Sequence, residues 1–88
     1  MEISYTPEAI IDREFWKKSS NKAIIKKITT LIKSIEETPF EGIGKPERLK
    51  HELSSYWSRR INKEHRIVYE VLEDENKVVI LSMKGHYQ

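Results

Sequence analysis

Apolar residues recur at offsets of three and four in the first half of the chain, which is the pattern of helices that bury one face. The longer stripe starts just after Asn21 and is interleaved with lysines. Its members are Ile24, Ile25, Ile28, Leu31, Ile32 and Ile35. We interpret this stripe as core packing rather than as a membrane-surface helix, because basic amphipathic helices are common in globular domains. It predicts a helix that Asn21 caps and that ends at Thr38, since the residue before Pro39 avoids helical geometry.

Thr6 and Pro7 mark the start of an earlier helix, because threonine caps a first turn and proline is tolerated within it. A second apolar stripe, widened by Trp16, is expected to face the core from this helix. The stripe consists of Ile10, Ile11 and Phe15. Upstream, Ile3 and Tyr5 alternate with polar residues, which predicts a short first strand.

The second half of the chain has short runs rich in β-branched and aromatic residues, which are typical of strands. Three candidate strands and a weaker fourth are Tyr56 to Ile61, Arg66 to Leu72, Lys77 to Met83 and Arg48 to His51. Short polar connectors of hairpin length join the first three strands. The strand from Lys77 to Met83 is the most apolar and is expected to be central. Residues 1–88 are therefore predicted to form one α+β domain, with an N-terminal strand and two helices packed on an antiparallel sheet.

Composition limits the chemistry that this domain can use. The chain has 88 residues and no cysteine, which excludes disulfides, thiol chemistry and cysteine-based zinc sites. The spacing of the three histidines matches no usual zinc pattern, so we expect neither a metal nor a cofactor. The N-terminus does not resemble a signal peptide, and no apolar run is long enough to cross a membrane. We expect a soluble cytoplasmic protein.

The net charge of +2 is unevenly distributed along the chain. Residues 45–66 hold seven basic and three acidic side chains. Such a segment favours a surface for a polyanion such as nucleic acid, although charged runs are also ordinary solvated surface. The glycines of Gly42-Ile43-Gly44-Lys45 are interpreted as turn residues. They do not form a nucleotide-binding loop, because Pro46 stands where that motif needs serine or threonine.

If the partner is RNA, the simplest cleavage uses the RNA's own 2′-hydroxyl and needs a base, an acid and a cation. Glu47 is the candidate base. Its basic neighbours favour the ionised carboxylate but also weaken it as a base, and the alternative is an ordinary surface glutamate. His86 is the candidate acid, because histidine titrates near physiological pH. A frayed terminal residue is the alternative there, and His51 and His65 are other candidates for the acid.

Arginines and aromatic residues supply the remaining candidates. Arg66 begins a predicted strand, from which its guanidinium could bind two phosphate oxygens. On the neighbouring strand Arg59 and Arg60 belong to opposite faces, so only one of them can point toward RNA. Tyr56, Trp57 and Tyr87 could stack on unpaired bases, although we favour a core position for Trp57.

Four stretches together carry a resemblance to a known family. They are Thr38 to Glu47 (TPFEGIGKPE), Trp57 to Ile61 (WSRRI), Glu64 to Tyr69 (EHRIVY) and His86-Tyr87. In this order and spacing they resemble the YoeB/Txe toxins of bacterial toxin–antitoxin pairs. The resemblance implies a fold like that of RelE-type toxins and small microbial ribonucleases. It also implies metal-free cleavage of mRNA in the ribosomal A site, neutralisation by a cognate antitoxin, and homodimers.

The resemblance also implies roles for individual residues. It makes Glu47 the general base, His86 the general acid, Arg66 the phosphate-stabilising arginine and Tyr87 the family's terminal tyrosine. The basic residues expected to contact RNA are Lys45, Lys50 and Arg59. The chain departs from the family pattern in one place, because Gln88 follows the tyrosine.

Two other functions remain open at this point. One is a noncatalytic RNA- or ribosome-binding module that blocks translation by occupancy, which would need the basic surface but no proton carriers. The other is a co-repressor that binds its antitoxin and reaches operator DNA only through that antitoxin.

Overall fold

The computed structural model describes residues 1–85, so the predictions for His86 and Tyr87 lie outside the described residues. Its helices and strands follow one another in the order β1, α1, α2, β2, β3, β4, β5. Their bounds are Glu2–Tyr5 (β1), Pro7–Lys18 (α1), Lys22–Glu37 (α2), Glu47–Arg48 (β2), Tyr56–Arg60 (β3), Arg66–Leu72 (β4) and Lys77–Ser82 (β5). Single 3₁₀ turns occupy His51–Leu53 and Glu73–Glu75. The predicted α+β fold is confirmed.

Side-chain caps start both helices at the residues that the sequence indicates. The Thr6 hydroxyl accepts a hydrogen bond of 3.1 Å from the Ala9 amide, and Pro7 occupies the first helical position. The Asn21 side-chain oxygen accepts one of 3.2 Å from the Ile24 amide at the start of α2. Each cap satisfies one of the amides that a helix N-terminus leaves unpaired, which fixes where the helix begins.

The five strands form one sheet in the order β1-β5-β4-β3-β2. Strands β2 to β5 pair antiparallel, whereas β1 pairs parallel with β5. The apolar β5 is an interior strand as expected, but β4 takes the central position. The weak strand predicted for Arg48 to His51 is wrong beyond Arg48, because His51 has a φ of +58° and begins a 3₁₀ turn instead.

Both helices pack on the same face of the sheet, which we call the helix face. The core there joins α2 to the central strands, with Leu31, Ile35, Ile67, Tyr69 and Ile80 all fully buried. Residues at alternate positions of β3 and β4 lie on the opposite side, which we call the open face. On the open face the register aligns Glu47 with Ser58 and Arg60 with Arg66.

Helix α1 differs from the prediction in the side that it buries. It packs through Ala9 and Trp16, and the Trp16 indole donates a 2.8 Å hydrogen bond to the Met83 carbonyl. The predicted stripe of Ile10, Ile11 and Phe15 is wrong as a core face, because all three side chains are exposed. Within residues 1–85 no helix combines the length and apolar character needed to cross a membrane.

Candidate active site

A carboxylate and a guanidinium meet on the open face near the β2 edge of the sheet. Glu47 Oε1 lies 3.3 Å from Arg66 Nη1, close enough for an ion pair with a hydrogen bond. The Glu47 side chain is 57% exposed and that of Arg66 is 18% exposed. The carboxylate is therefore reachable from solvent, while the guanidinium is largely held by the protein. Sheet pairing brings these two residues together although they are far apart in sequence.

The loop between α2 and β2 determines where Glu47 lies. The Gly44 carbonyl accepts a 2.7 Å hydrogen bond from the Arg60 amide, which attaches the loop to β3 just before β2 begins. Gly44 has a φ of +82°, and a Cβ placed there would lie 2.6 Å from Leu31 Cδ2 and 3.2 Å from Arg59 Cβ. Glycine is therefore required at this turn position, as predicted, both for its backbone conformation and for the close approach of the loop to the core.

Three exposed cations lie near Glu47 or Arg66. Two are close to Glu47 in sequence, and one pairs with Arg66 in the sheet. Arg60 is exposed and is the direct register partner of Arg66, so both side chains lie on the open face. Lys45 and Lys50 flank Glu47 along the chain and are exposed as well. An anionic ligand would therefore meet exposed basic residues close to Glu47 in the sequence and next to Arg66 in the sheet.

The prediction that Arg59 contacts RNA is wrong for this structure. Arg59 lies on the helix face and is fully buried, because strand alternation sends it inward and Arg60 outward. Its guanidinium donates to Tyr69 Oη at 3.1 Å and to Ser34 Oγ at 2.7 Å, and the other donors bind loop carbonyls. The exposed arginine of this strand is Arg60, which alternation separated from Arg59 without indicating which of the two faces is open.

The described chain ends beside Arg66. The Arg66 amide donates a 3.1 Å hydrogen bond to the Gly85 carbonyl, and the Gly85 amide donates one of 2.9 Å to His65 Nδ1. The His65 ring also packs edge-on against Trp16, at 4.8 Å between centroids. His65 is therefore engaged in structure, which weakens it as an alternative acid, whereas His51 is exposed. His86 and Tyr87 follow Gly85 in sequence, and their assignments stay predictions.

One further polar group was missed by the sequence reasoning. Ser58, the register partner of Glu47, is fully buried, and its hydroxyl has no hydrogen-bond partner within the described part of the chain. Buried hydroxyls are usually paired, and this one belongs to the residue that is directly opposite Glu47 in the sheet. Across residues 1–85, no cluster of three or more histidine, cysteine, aspartate or glutamate side chains could hold a metal ion.

Comparison with known proteins places this sequence and fold among bacterial toxins. The model of the YoeB-like toxin of bacterial type II toxin-antitoxin systems matches residues 5–87, nearly the whole chain. The toxin YoeB of Escherichia coli K12 is 47% identical over 87 residues, which cover 99% of this chain and 100% of that protein. The chain therefore belongs to the YoeB-like toxin family.

Solved structures agree with this assignment. The YoeB/ParE toxin from Agrobacterium tumefaciens has a TM-score of 0.91 at 39% identity, covering 99% of this chain and 100% of that one. A YoeB dimer from Staphylococcus aureus has a TM-score of 0.85 at 46% identity, and a YoeB–YefM complex from the same organism has 0.84 at 48%. Both alignments cover 99% of this chain and 98% of the other. The resemblance found in the sequence is confirmed.

Proposed function

We propose that this toxin is a ribosome-dependent endoribonuclease that cuts mRNA in the ribosomal A site. The observation that carries the proposal is the solvent-accessible Glu47 carboxylate held 3.3 Å from the Arg66 guanidinium on a basic surface. A general base beside a fixed cation is what metal-independent cleavage of a phosphodiester by its own 2′-hydroxyl requires. Membership of the YoeB-like toxin family supports the same conclusion.

In this mechanism Glu47 removes the proton of the 2′-hydroxyl, and the resulting oxygen attacks the adjacent phosphorus. The bond to the 5′-oxygen breaks as His86 donates a proton to that leaving oxygen. Arg66 stabilises the negative charge that grows on the non-bridging oxygens. The products are a 2′,3′-cyclic phosphate and a free 5′-hydroxyl. Tyr87 is proposed to stack on or orient the nucleotide next to the scissile bond.

The surrounding cations would hold the RNA backbone. Lys45, Lys50 and Arg60 are exposed, and each can bind a phosphate oxygen without entering the chemical step. Arg60 takes the place of the buried Arg59 in this set. Because phosphate contacts position a substrate without reading its sequence, these residues should affect affinity more than codon choice.

The proposed partners follow from the family and from this chemistry. The ribosome and its mRNA are the target, which implies a cytoplasmic location. The Staphylococcus aureus relatives were solved as a dimer and in complex with YefM, so we propose a homodimer and a cognate antitoxin for this chain. Binding to operator DNA would occur only through that antitoxin.

Primer extension on a translated message after induction of the toxin tests the activity directly. The wild-type protein should produce breaks within A-site codons, and Glu47→Gln or His86→Ala should reduce them by at least about 100-fold, a typical contribution of a general base or acid. Glu75→Gln is a matched control, because this exposed glutamate lies in the 3₁₀ turn before β5, away from the site. Stalled ribosomes with intact mRNA, or normal cleavage by both site variants, would contradict the proposal.

A further inference from the structure

Arg59 is a buried cation that binds two side-chain oxygens and three backbone carbonyls. Its side chain has no exposed surface, so each unpaired donor would carry a large desolvation cost. Nη1 donates to Ser34 Oγ at 2.7 Å and to the Ile43 carbonyl at 3.2 Å. Nη2 donates to the carbonyls of Thr38 and, at 2.9 Å, Glu41. One guanidinium therefore donates hydrogen bonds to three carbonyls along the segment that joins α2 to β2.

Tyr69 supplies the other half of this arrangement from the central strand. Its hydroxyl accepts the Arg59 Nε hydrogen bond at 3.1 Å and donates one of 2.7 Å to the Pro39 carbonyl. Like Arg59, Tyr69 has no exposed surface. Arg59 and Tyr69 together therefore bind the carbonyls of four loop residues from a rigid part of the sheet. We call these two side chains the loop clamp.

The clamped segment leads directly to the candidate base. Residues 38–46 contain no helix or strand, so their backbone groups must find partners outside regular structure. The clamp holds the segment up to Ile43, and Gly44 is held next through its carbonyl and the Arg60 amide. Glu47 follows three residues later, at the start of the two-residue strand β2. So short a strand offers little pairing of its own with which to fix the carboxylate.

We propose that Arg59 and Tyr69 are positioning residues that fix the Glu47 carboxylate opposite Arg66. This inference rests on the proposed function, since it concerns the residue that acts as base. Neither side chain of the clamp touches the substrate. Loosening the clamp lets Glu47 drift from its position, and displacement of a catalytic group by about 1 Å can cost up to 100-fold in rate.

The test uses Tyr69→Phe, which removes one hydroxyl and keeps the buried ring. We expect kcat for cleavage on programmed ribosomes to fall about tenfold or more while KM stays within twofold, because the group that is misplaced acts in the chemical step. Amide hydrogen exchange over residues 38–47 should accelerate, while exchange in α2 stays unchanged. Tyr5→Phe is the matched control, because Tyr5 lies in β1 at the opposite edge of the sheet from β2.

Arg59→Lys is the second variant, and it should lower kcat further because an ammonium cannot reproduce the planar donor set. Buried arginines can be required for folding, so Tyr69→Phe carries the test if Arg59→Lys does not fold. A kcat within twofold of wild type for Tyr69→Phe, with Glu47→Gln inactive, would overturn the positioning role and leave the proposed function standing. So would a change confined to KM, or an equal loss in Tyr5→Phe. Full activity of Glu47→Gln would instead contradict the proposed function itself.

Discussion

Two adjacent arginines of β3 have opposite environments, and the difference separates the two faces of the sheet. Arg59 is fully buried on the helix face, where its donors bind a tyrosine, a serine and loop carbonyls. Arg60 is exposed on the open face, beside Arg66. Because the residue type is the same, the difference comes from the environment alone. The buried Arg59 can stabilise the fold, whereas the exposed Arg60 is accessible to a ligand.

The polar contacts of Arg66 and Arg59, on the two faces, differ in the same way. The Glu47–Arg66 ion pair is partly exposed, and exposed pairs typically contribute only about 0–1 kcal/mol to folding. The Arg59 side chain is fully buried, and leaving a buried donor unpaired costs about 1–3 kcal/mol. We therefore expect substitutions on the helix face to affect unfolding and substitutions on the open face to affect activity.

The largest expected effect is the difference in stability between two alanine variants, Arg59→Ala and Arg60→Ala. Arg59→Ala should lower the free energy of unfolding by about 3 kcal/mol or more, because a fully buried side chain is removed and five hydrogen bonds are lost with it. Arg60→Ala should change it by less than about 0.5 kcal/mol, as is usual for an exposed residue. Urea denaturation of both variants, followed by circular dichroism, measures the two values side by side.

In binding to programmed ribosomes the open face should matter more than the helix face. We therefore expect a larger effect from Arg60→Ala than from Ser34→Ala, a variant of the helix face that should preserve the fold. Removing the Arg60 phosphate contact should weaken binding and reduce the slope of log affinity against log salt concentration by about 0.7, the value per single-strand contact. Ser34→Ala, which removes one partner of Arg59, should leave that slope unchanged. Equal slopes for Arg60→Ala and wild type would mean that the open face does not bind RNA through this residue.

A smaller effect is expected from the glycine that brings the loop against the core. Gly44→Ala should cost about 2 kcal/mol, because the new Cβ would lie 2.6 Å from the buried Leu31 side chain and φ is +82°. Gly85→Ala is the matched control, since its φ is +77° but, among residues 1–85 and apart from its chain neighbour, no atom lies within 4 Å of the added Cβ. It should cost only about 1 kcal/mol, the price of the backbone conformation. Equal costs in thermal unfolding would show that close approach at Gly44 is unimportant.

Local signals in the sequence predicted most of the elements. The bounds of β4 and the cap at Thr6 agree with the structure, because alternation and capping depend on residues close in sequence. The parallel pairing of β1 with β5 was not predicted, since it joins the two ends of the chain. The prediction of which side of α1 is buried was wrong, because the helix packs through Ala9 and Trp16 while Phe15 is exposed. The side that a helix buries is determined by its contacts with residues that are distant in sequence.

The candidate site was less accessible to sequence reasoning than the fold. Strand alternation correctly separates Arg59 from Arg60, but it does not say which face the helices cover. The 3.3 Å approach of Glu47 to Arg66 depends on the register of three strands, and only the family resemblance pointed to it. The loop clamp left no signal in the sequence, because it holds the loop through backbone carbonyls, which every residue has.

The smallest expected effect is a dependence of stability on pH that originates in Tyr69. Burial raises the pKa of Tyr69 above its ordinary value of 10.0, and the hydrogen bond and charge of Arg59 offset only part of that rise. In the unfolded chain the phenol therefore loses its proton at lower pH than in the folded protein. Below pH 10 both states keep the proton and the contribution to stability is complete.

Above pH 10 the unfolded state is deprotonated first, so this contribution is lost as pH rises towards the folded pKa of Tyr69. One proton limits the slope to about 1.4 kcal/mol per pH unit. Lysines and other tyrosines titrate in the same range, so the informative quantity is the difference between wild type and Tyr69→Phe in urea midpoint from pH 8 to pH 11. That difference should shrink above pH 10. A constant difference across the range would show that burial of the Tyr69 hydroxyl places no penalty on its ionisation, and that the clamp is more open to water than its geometry indicates.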